Sequence, residues 1–316
     1  MSAGTVIVTG AAGNLGRRLV QRLHRVYDVV AVDRRPVDRL PKDVRAVRAD
    51  IRWRSIEDVF RHGPIFGIVH MGVIHNPRND TARYRFNVAG TQRLLELARR
   101  YRVRRFVMLS SANIYGPHPD NSHFLTEDAP LLGAEHHVEI RDLVAVDRVV
   151  EAFFYRSPEV STVILRPVHI VGPRVRNAPS NYLRLERPMT LMGFDPMVQL
   201  LHEEDAVQAM VLALETPDRG VFNIVGPGEA PLSKVLQVLG RRPRAVPSLL
   251  ARKILDGGWA LGLMGFPPPE LRHVQYNCVV DGQAARDVLG FSPRYGLEET
   301  IRSVSSLPLV RREAVS

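Results

Sequence analysis

The sequence predicts a doubly wound α/β fold, in which a parallel sheet carries helices on both faces. Short β-branched apolar runs recur along the chain, and segments of helical length separate them. These runs are Val6–Val8, Val29–Val32, Ile68–His70, Phe106–Leu109, Thr162–Leu165 and Val221–Val225. Between the first two runs, Leu15, Leu19 and Leu23 repeat at the spacing of one helix face. Folds of this class bind ligands at the carboxyl ends of their strands.

The composition is that of an ordinary globular protein. Of the 316 residues 45% are hydrophobic and 24% charged, which excludes wholesale disorder. The single cysteine, Cys278, excludes a disulfide framework and a thiolate zinc site, so we predict no metal and a cytoplasmic location. No apolar run reaches the roughly 20 residues that a membrane span needs.

The charge balance is basic and almost entirely due to arginine. The formal net charge is +10, and the lysines among the 43 basic residues are Lys42, Lys234 and Lys253. The arginines occur as scattered pairs such as Arg17-Arg18, without a dense run or interleaved aromatic residues. This pattern predicts a solvated basic surface and no nucleic-acid partner. A basic protein acting at a membrane or on nucleic acid stays an alternative.

The character of the chain changes after Gly172-Pro173, where proline and glycine become denser. We predict a nucleotide-binding domain over residues 1–172 and a smaller substrate-binding region over 173–310, with segment 200–226 returning to the first domain. Residues 307–316 are predicted to form a loose tail. The apolar stretch from Leu249 to Phe266 suggests a cap over the substrate or a patch that docks on lipid.

A glycine-rich turn follows the first apolar run, over residues 10–16 (Gly-Ala-Ala-Gly-Asn-Leu-Gly). Gly10 permits a tight turn, Gly13 lets the backbone approach a pyrophosphate, and Gly16 allows close packing of helix on strand. The helix that follows presents its N-terminus to the phosphates. Because the turn follows the opening strand directly, it predicts a dinucleotide site.

Asp33 ends the second run, about 20 residues after the glycine turn, where an acidic side chain binds the ribose hydroxyls of adenosine. A carboxylate there repels the 2′-phosphate of NADP, so the sequence predicts NAD. Arg34 and Arg35 could bind that phosphate, which keeps NADP as the alternative. A helix cap is the structural alternative for Asp33.

Further motifs extend the pattern along the chain. They are Ala49-Asp50-Ile51, His70-Met71-Gly72, Asn87-Val88-x-Gly90-Thr91, Ser110-Ser111-Ala112-Asn113-Ile114-Tyr115-Gly116, Leu165-Arg166-Pro167, His202-x-x-Asp205 and Leu289-Gly290-Phe291. With these residues the chain resembles, over nearly its whole length, the extended short-chain dehydrogenase/reductases of the NAD-dependent epimerase/dehydratase family, such as UDP-glucose 4-epimerase.

This resemblance implies a site for NAD and a catalytic hydroxyl on Ser111. The predicted cofactor-binding residues are Gly10, Ala12, Gly13, Asn14, Leu15, Gly16, Asp33, Arg34, Asp50, Ile51, Met71, Gly72, Val73, Asn87 and Leu109. The resemblance also implies a small-molecule substrate, either a nucleotide sugar or a less polar alcohol, and a homodimer.

The main departure from the family concerns its Tyr-x-x-x-Lys pair, which moves a proton while NAD takes or returns hydride. The corresponding helix falls within residues 139–151, and its two registers place either Glu139 and Leu143, or Leu143 and Asp147, at the pair's positions. No lysine occurs between Lys42 and Lys234, so the standard relay is absent. The candidate substitutes are Glu139, His136, His137, Tyr115 and His169, the last where many relatives have asparagine.

The residues expected to bind a nucleotide sugar also depart from the family pattern. Relatives that bind UDP-sugars often have an arginine just ahead of the His-x-x-Asp motif, but Met197–His202 contains none. Arg174, Arg176 or Arg184 could replace it. Two functions follow: an epimerase/dehydratase-like oxidoreductase with a non-standard active site, or a non-catalytic NAD-binding sensor or scaffold.

Overall fold

The computed structural model describes residues 3–73, 80–136, 138–251 and 268–305, and the strands and helices below are numbered in chain order. Its main sheet has seven strands, all of them parallel. They are β1 (Thr5–Thr9), β2 (Asp28–Asp33), β3 (Arg45–Arg48), β4 (Ile65–His70), β5 (Arg105–Leu109), β6 (Ser161–Pro167) and β10 (Gly220–Ile224). The order β10-β6-β5-β4-β1-β2-β3 confirms the predicted doubly wound fold.

Two small sheets lie outside the main one. The strands β7 (His169–Val171), β9 (Met197–His202) and β11 (Glu229–Pro231) form one, with β9 in the middle, and β8 (Met189–Leu191) pairs with β12 (Arg244–Val246). The chain therefore leaves the main sheet after β6 and returns to it at β10. The boundaries proposed for the two domains stay a prediction.

Helices cover both faces of the main sheet. The helices of the described residues are α1 (Asn14–Leu23), α2 (Glu57–Phe60), α3 (Asp80–Tyr84), α4 (Gly90–Arg100), α5 (Gly133–His136), α6 (Val138–Arg156), α7 (Ala178–Arg184), α8 (Glu203–Glu215), α9 (Leu232–Val238), α10 (Gln283–Leu289) and α11 (Leu297–Ser303). In one core on the main sheet lie α1, α8 and α10, in the other α2, α4 and α6, whereas α7, α9 and α11 pack in a third core with the small sheets. Within the described ranges, no helix is both long enough and apolar enough to cross a bilayer.

The position of strand β1 between two cores explains why its residues form a continuous apolar run. Val6 and Val8 point into a core shared with α1 and α8, whereas Ile7 points into a second core shared with α4 and α6. Successive strand residues face opposite sides, so a strand covered on both sides must be apolar throughout. In α1, the predicted face is buried at Leu19 and Leu23.

The two edge strands of the main sheet differ in what shields their unpaired backbone groups. Strand β3 is one edge, and its residues Arg45 and Arg48 are exposed. Strand β10 is the other edge, where the backbone N–H of Asn223 donates to the carboxylate of Glu127 at 2.7 Å. The candidate functional site lies at one end of this sheet, where the carboxyl ends of β1, β2, β4 and β5 meet. We call this the open end.

Candidate functional site

The glycine turn joins β1 to α1 at the middle of the sheet. Gly10 has a φ of +76°, in the left-handed region that favours glycine, and a Cβ there would lie 2.9 Å from the carbonyl oxygen of Met71. A Cβ on Gly16 would lie 2.3 Å from the carbonyl oxygen of Gly10. Side chains are therefore excluded at both ends of the turn, and the backbone between them forms a tight cradle at the N-terminus of α1.

The Asp33 carboxylate closes this cradle from the end of β2. Its Oδ2 accepts a hydrogen bond from the backbone N–H of Ala12 at 3.0 Å, and its Oδ1 accepts one from the backbone N–H of Arg35 at 2.9 Å. No helix begins between Asp33 and β3, so this carboxylate does not act as a helix cap. It faces the glycine turn, as the predicted ribose-binding role requires.

An aromatic ring and a buried carboxylate lie beyond Asp33. Asp50 accepts two hydrogen bonds from the guanidinium of Arg52, at 3.0 and 2.7 Å, and Arg34 lies over the ring of Phe86 at 4.6 Å. Burial alone would raise the pKa of Asp50, but the hydrogen bonds and charge of Arg52 hold it below the usual value. Of the two arginines that kept NADP open, Arg34 stacks on Phe86 and Arg35 donates to Asp33.

His70, at the end of β4, anchors the segment beside the cradle. Its Nε2 lies 3.0 Å from Oγ1 of Thr91, and its Nδ1 lies 2.6 Å from Oγ1 of Thr9. Thr91 donates its own proton to the carbonyl oxygen of Asn87, so Nε2 carries the imidazole proton and Nδ1 accepts from Thr9. Burial lowers the pKa of His70 to about 4, so the ring is neutral at pH 7.

The remaining predicted cofactor residues surround the same end of the sheet. Met71 donates its backbone N–H to Thr9, and Val73 packs beside the turn after β5. Gly72 lies against the hydroxyl of Thr9, Leu15 is in the first turn of α1, Leu109 ends β5, and Ile51 contacts Gly90 at the start of α4. Each of these assignments stays a prediction as a cofactor contact.

Asn14 has a partner that no sequence pattern predicts. Its amide donates to the buried carboxylate of Glu203, which also accepts a hydrogen bond from Arg18 at 2.8 Å. Glu203 is the first residue of α8 and is fully buried. Consequently the start of α1 is tied to α8 across 189 positions of sequence.

Ser111 follows β5 at the same open end. Its Oγ accepts a hydrogen bond from the backbone N–H of Asn113 at 3.2 Å, capping the short turn Ala112–Ile114. Because the oxygen acts as the acceptor in this contact, the hydroxyl proton stays available for donation to a ligand. The half-buried side chain is therefore suited to hydrogen-bond a reacting oxygen.

Helix α6 presents no acid–base pair at the positions of the missing tyrosine and lysine. Leu143, common to both registers, is 3% exposed and packs with Ile114 in an apolar cluster. Asp147 is fully buried, where its carboxylate accepts hydrogen bonds from Arg166 at 2.6 and 3.2 Å and from the hydroxyl of Ser110 at 2.5 Å. In the register that pairs Leu143 with Asp147, a buried ion pair thus occupies the position of the family's lysine.

Of the catalytic candidates near α6, the structure describes the side chain of Tyr115 but not those of Glu139, His136 and His137. Tyr115 is 1% exposed, donates to the amide oxygen of Asn223 at 2.8 Å and accepts from Arg166 at 3.0 Å. Burial raises the pKa of its phenol to about 12, which suits a structural role. The backbone of Glu139 belongs to α6, but its side chain and that of His136 lie outside the description, as does the whole of His137.

A small cavity of about 20 Å³ adjoins the serine turn at Ala112 and Asn113. His169, on β7, lines it, and its ring centre lies 5.7 Å from that of His273 in an edge-to-face arrangement. Arg184, one of the predicted substitutes for a phosphate-binding arginine, is instead buried. Its guanidinium donates to the carbonyl oxygens of Gly172, Val175 and Val304 at 2.7 to 3.0 Å, so it cannot serve a substrate.

Comparisons with known proteins identify the family of the chain. The profile of the NAD dependent epimerase/dehydratase family matches residues 6–225. An uncharacterised protein of Mycobacterium tuberculosis is 31% identical over 308 residues, covering 92% of this chain and 80% of the relative. A 3-diazoavenalumate denitrifying reductase of Streptomyces is 28% identical over 279 residues, covering 80% of this chain and 87% of the relative.

Solved structures share the fold over almost the whole chain. MoeE5, solved in complex with UDP-glucuronic acid and NAD, superposes with a TM-score of 0.74 and 26% sequence identity. This match covers 95% of the present chain and 97% of MoeE5.

Proposed function

The chain belongs to the NAD-dependent epimerase/dehydratase family, and on this premise we propose that it is an NAD-dependent oxidoreductase with a non-standard active site. Its substrate class is a nucleotide sugar or a related secondary alcohol, oxidised or reduced by hydride transfer. One observation carries the proposal: the glycine cradle closed by Asp33 lies at the same end of the sheet as the Ser111 hydroxyl.

The residues at the cradle fit the cofactor. Gly10 and Gly16 leave no room for a side chain, so the pyrophosphate can approach the backbone at the N-terminus of α1. Asp33 would hold the hydroxyls of the adenosine ribose, and the ring of Phe86 with Asp50 borders the adenine end. When bound, the nicotinamide supplies a hydride acceptor or donor. MoeE5, a structural neighbour, was solved in complex with NAD.

The chain's own residues act on the substrate oxygen. Ser111 donates its hydroxyl proton to that oxygen and orients the carbinol or carbonyl group. Leu143 has no proton to exchange and packs in the apolar cluster with Ile114. The acid–base group must therefore be neither a tyrosine nor a lysine of α6, and the candidates are Glu139, which takes the tyrosine's place in one register, and His137 just before it in the sequence.

A panel of substrates tests the proposal. UDP-, GDP- and dTDP-sugars and uncharged secondary alcohols are incubated with NAD or NADH, and the nicotinamide absorbance is followed. We expect turnover with at least one compound, and Ser111→Ala should lower kcat by about 10²- to 10³-fold, as loss of a hydrogen-bond donor to a reacting oxygen does. Ser122→Ala, in an exposed loop, is the matched control. Turnover with no compound, although calorimetry shows bound NAD, would contradict the oxidoreductase.

A second candidate is a non-catalytic NAD-binding sensor or scaffold, which the burial of Leu143 and Asp147 favours. In this case the dinucleotide acts by changing the assembly of the protein rather than by chemistry. Light scattering with and without NAD or NADH distinguishes the two, because a sensor changes its oligomeric state or partner binding and Ser111→Ala leaves that response unchanged. The same experiment measures the molecular mass in solution and so tests the predicted homodimer.

A further inference from the structure

The junction of β9 and α8 brings a fully buried carboxylate to the glycine cradle. Glu203 is the first residue of α8 and follows the end of β9 directly. Its Oε2 accepts a hydrogen bond from the side-chain amide of Asn14, the first residue of α1, and its Oε1 accepts one from Arg18 at 2.8 Å. Because a buried charge is costly unless it is paired and hydrogen-bonded, these two partners on α1 account for the carboxylate at this position.

The guanidinium of Arg18 balances the charge of Glu203. Arg18 lies one helical turn after Asn14, and it also donates to Glu204, the next residue of α8. An unpaired buried carboxylate at the start of α1 would repel the phosphates of a dinucleotide. Pairing with the arginine reduces this repulsion, so Glu203 can accept a hydrogen bond beside the cradle while opposing an anionic ligand less.

The contact with Glu203 fixes which way round the Asn14 amide sits. An asparagine side chain can present either its carbonyl oxygen or its NH₂ group to a neighbour, whereas a carboxylate only accepts hydrogen bonds. Glu203 therefore selects the NH₂ group, and one of its two N–H donors is used in this contact. The half-buried Asn14 directly follows Gly13, the N-cap of α1, which has no side chain to cap the helix. The second amide N–H thus belongs to the helix end that attracts phosphates.

The small sheet of β7, β9 and β11 determines where Glu203 lies. Gly172 directly follows β7, and a Cβ at this glycine would lie 2.6 Å from both Cγ and Cδ of Glu203. The carbonyl oxygen of Gly172 accepts a hydrogen bond from the buried Arg184 at 2.9 Å. The glycine is therefore held against the carboxylate, and a side chain at position 172 would displace Glu203 without removing it.

We propose that Glu203 is a positioning residue for the cofactor, because it holds the Asn14 amide so that its second N–H donates to the pyrophosphate of NAD. This inference rests on the proposed function for the presence of NAD in the cradle. Asn14 makes a charge-assisted hydrogen bond to the phosphates, and Glu203 acts only through Asn14. Residues of β7 and β9, outside the main sheet, thereby contribute to the affinity for a dinucleotide bound at the end of β1.

Calorimetric titration of the full chain with NAD and with adenosine, which has no phosphates, tests this inference. Asn14→Ala should weaken NAD binding about tenfold and Glu203→Gln about fivefold, and neither should change the affinity for adenosine. The double variant should bind NAD as Asn14→Ala does, because the two residues act as one unit. The direction is informative, since removing a negative charge near the phosphates would by electrostatics alone tighten NAD binding. Gly172→Ala, which keeps the carboxylate but displaces it, should also weaken NAD binding.

A second contact between the same two helices provides the matched control. Arg22 of α1 donates to Gln208 of α8 at 2.7 Å, about two turns further from the cradle. Gln208→Ala removes this contact and should leave NAD binding unchanged. Unchanged or tighter NAD binding by Asn14→Ala or Glu203→Gln, or an equal loss in Gln208→Ala, overturns the inference. If Glu203→Gln does not fold, Asn14→Ala and Gly172→Ala decide. Absence of NAD binding by the unmodified protein is a different result, which refutes the proposed function itself and this inference with it.

Discussion

Neutralising one partner of the buried ion pair between Asp147 and Arg166 should destabilise the protein strongly. The two side chains are 0% and 1% exposed, and the carboxylate accepts two hydrogen bonds from the guanidinium, at 2.6 and 3.2 Å. Asp147→Asn keeps the shape of the side chain but leaves the arginine charge uncompensated. Breaking a buried pair in this way costs about 3–5 kcal/mol, a large part of the roughly 5–15 kcal/mol that stabilises a typical domain.

Urea unfolding followed by circular dichroism measures this loss. Glu298→Gln is the matched control, because the pair Arg302–Glu298 has the same 2.6 Å separation but is 62% and 67% exposed. Its removal should cost less than about 1 kcal/mol. The double variant Asp147→Leu with Arg166→Met removes both charges and should lose less stability than Asp147→Asn alone. If Asp147→Asn costs no more than Glu298→Gln, the assignment of a stabilising buried pair is refuted.

Three further predictions concern the cofactor side of the sheet. Gly16→Ala places a methyl group 2.3 Å from the carbonyl oxygen of Gly10 and should lower the free energy of unfolding by about 1–3 kcal/mol. Calorimetry should also show weaker NAD binding by this variant. The control Gly296→Ala, whose methyl group would have nothing within 4 Å, should show neither effect. Asp33→Asn should weaken NAD binding about tenfold and reduce the preference for NAD over NADP; an unchanged ratio of the two dissociation constants would contradict the ribose contact. Burial lowers the pKa of His70 from 6.5 to about 4. Between these pH values the unfolded chain therefore binds more protons than the folded one, so the contribution of neutral His70 to stability is complete above pH 6.5 and is lost as the pH falls toward 4. His70→Gln should flatten the pH dependence of urea midpoints over that interval.

The fold was predictable because its strands are apolar on both faces. The six apolar runs all became strands of the main sheet, and α1 buried the leucines that predicted it. Strand β3 was not among the predicted strands. Its four residues include Arg45 and Arg48, which have no apolar pattern, and they become a strand only by pairing with β2. Tertiary pairing outweighs local preference at such an edge.

The candidate site was predictable in part. Short-range spacing identified the glycine turn, and Asp33, which was predicted to bind the ribose, accepts a hydrogen bond from Ala12 in that turn. The contact between Asn14 and Glu203 could not be predicted, since the two residues are far apart in sequence and nothing local marks the pair. The sequence also left the register of the missing tyrosine open, whereas the structure places Leu143, common to both registers, in the apolar cluster.

The two edges of the main sheet have a consequence for solubility. An edge strand with free backbone groups is a template on which another copy of the chain can add a strand and start aggregation. At β3, the exposed Arg45 and Arg48 would bring like charges together if two such edges approached. At β10, Glu127 already occupies the N–H group of Asn223. Part of the arginine surplus therefore protects the folded protein from self-association at its most open edge.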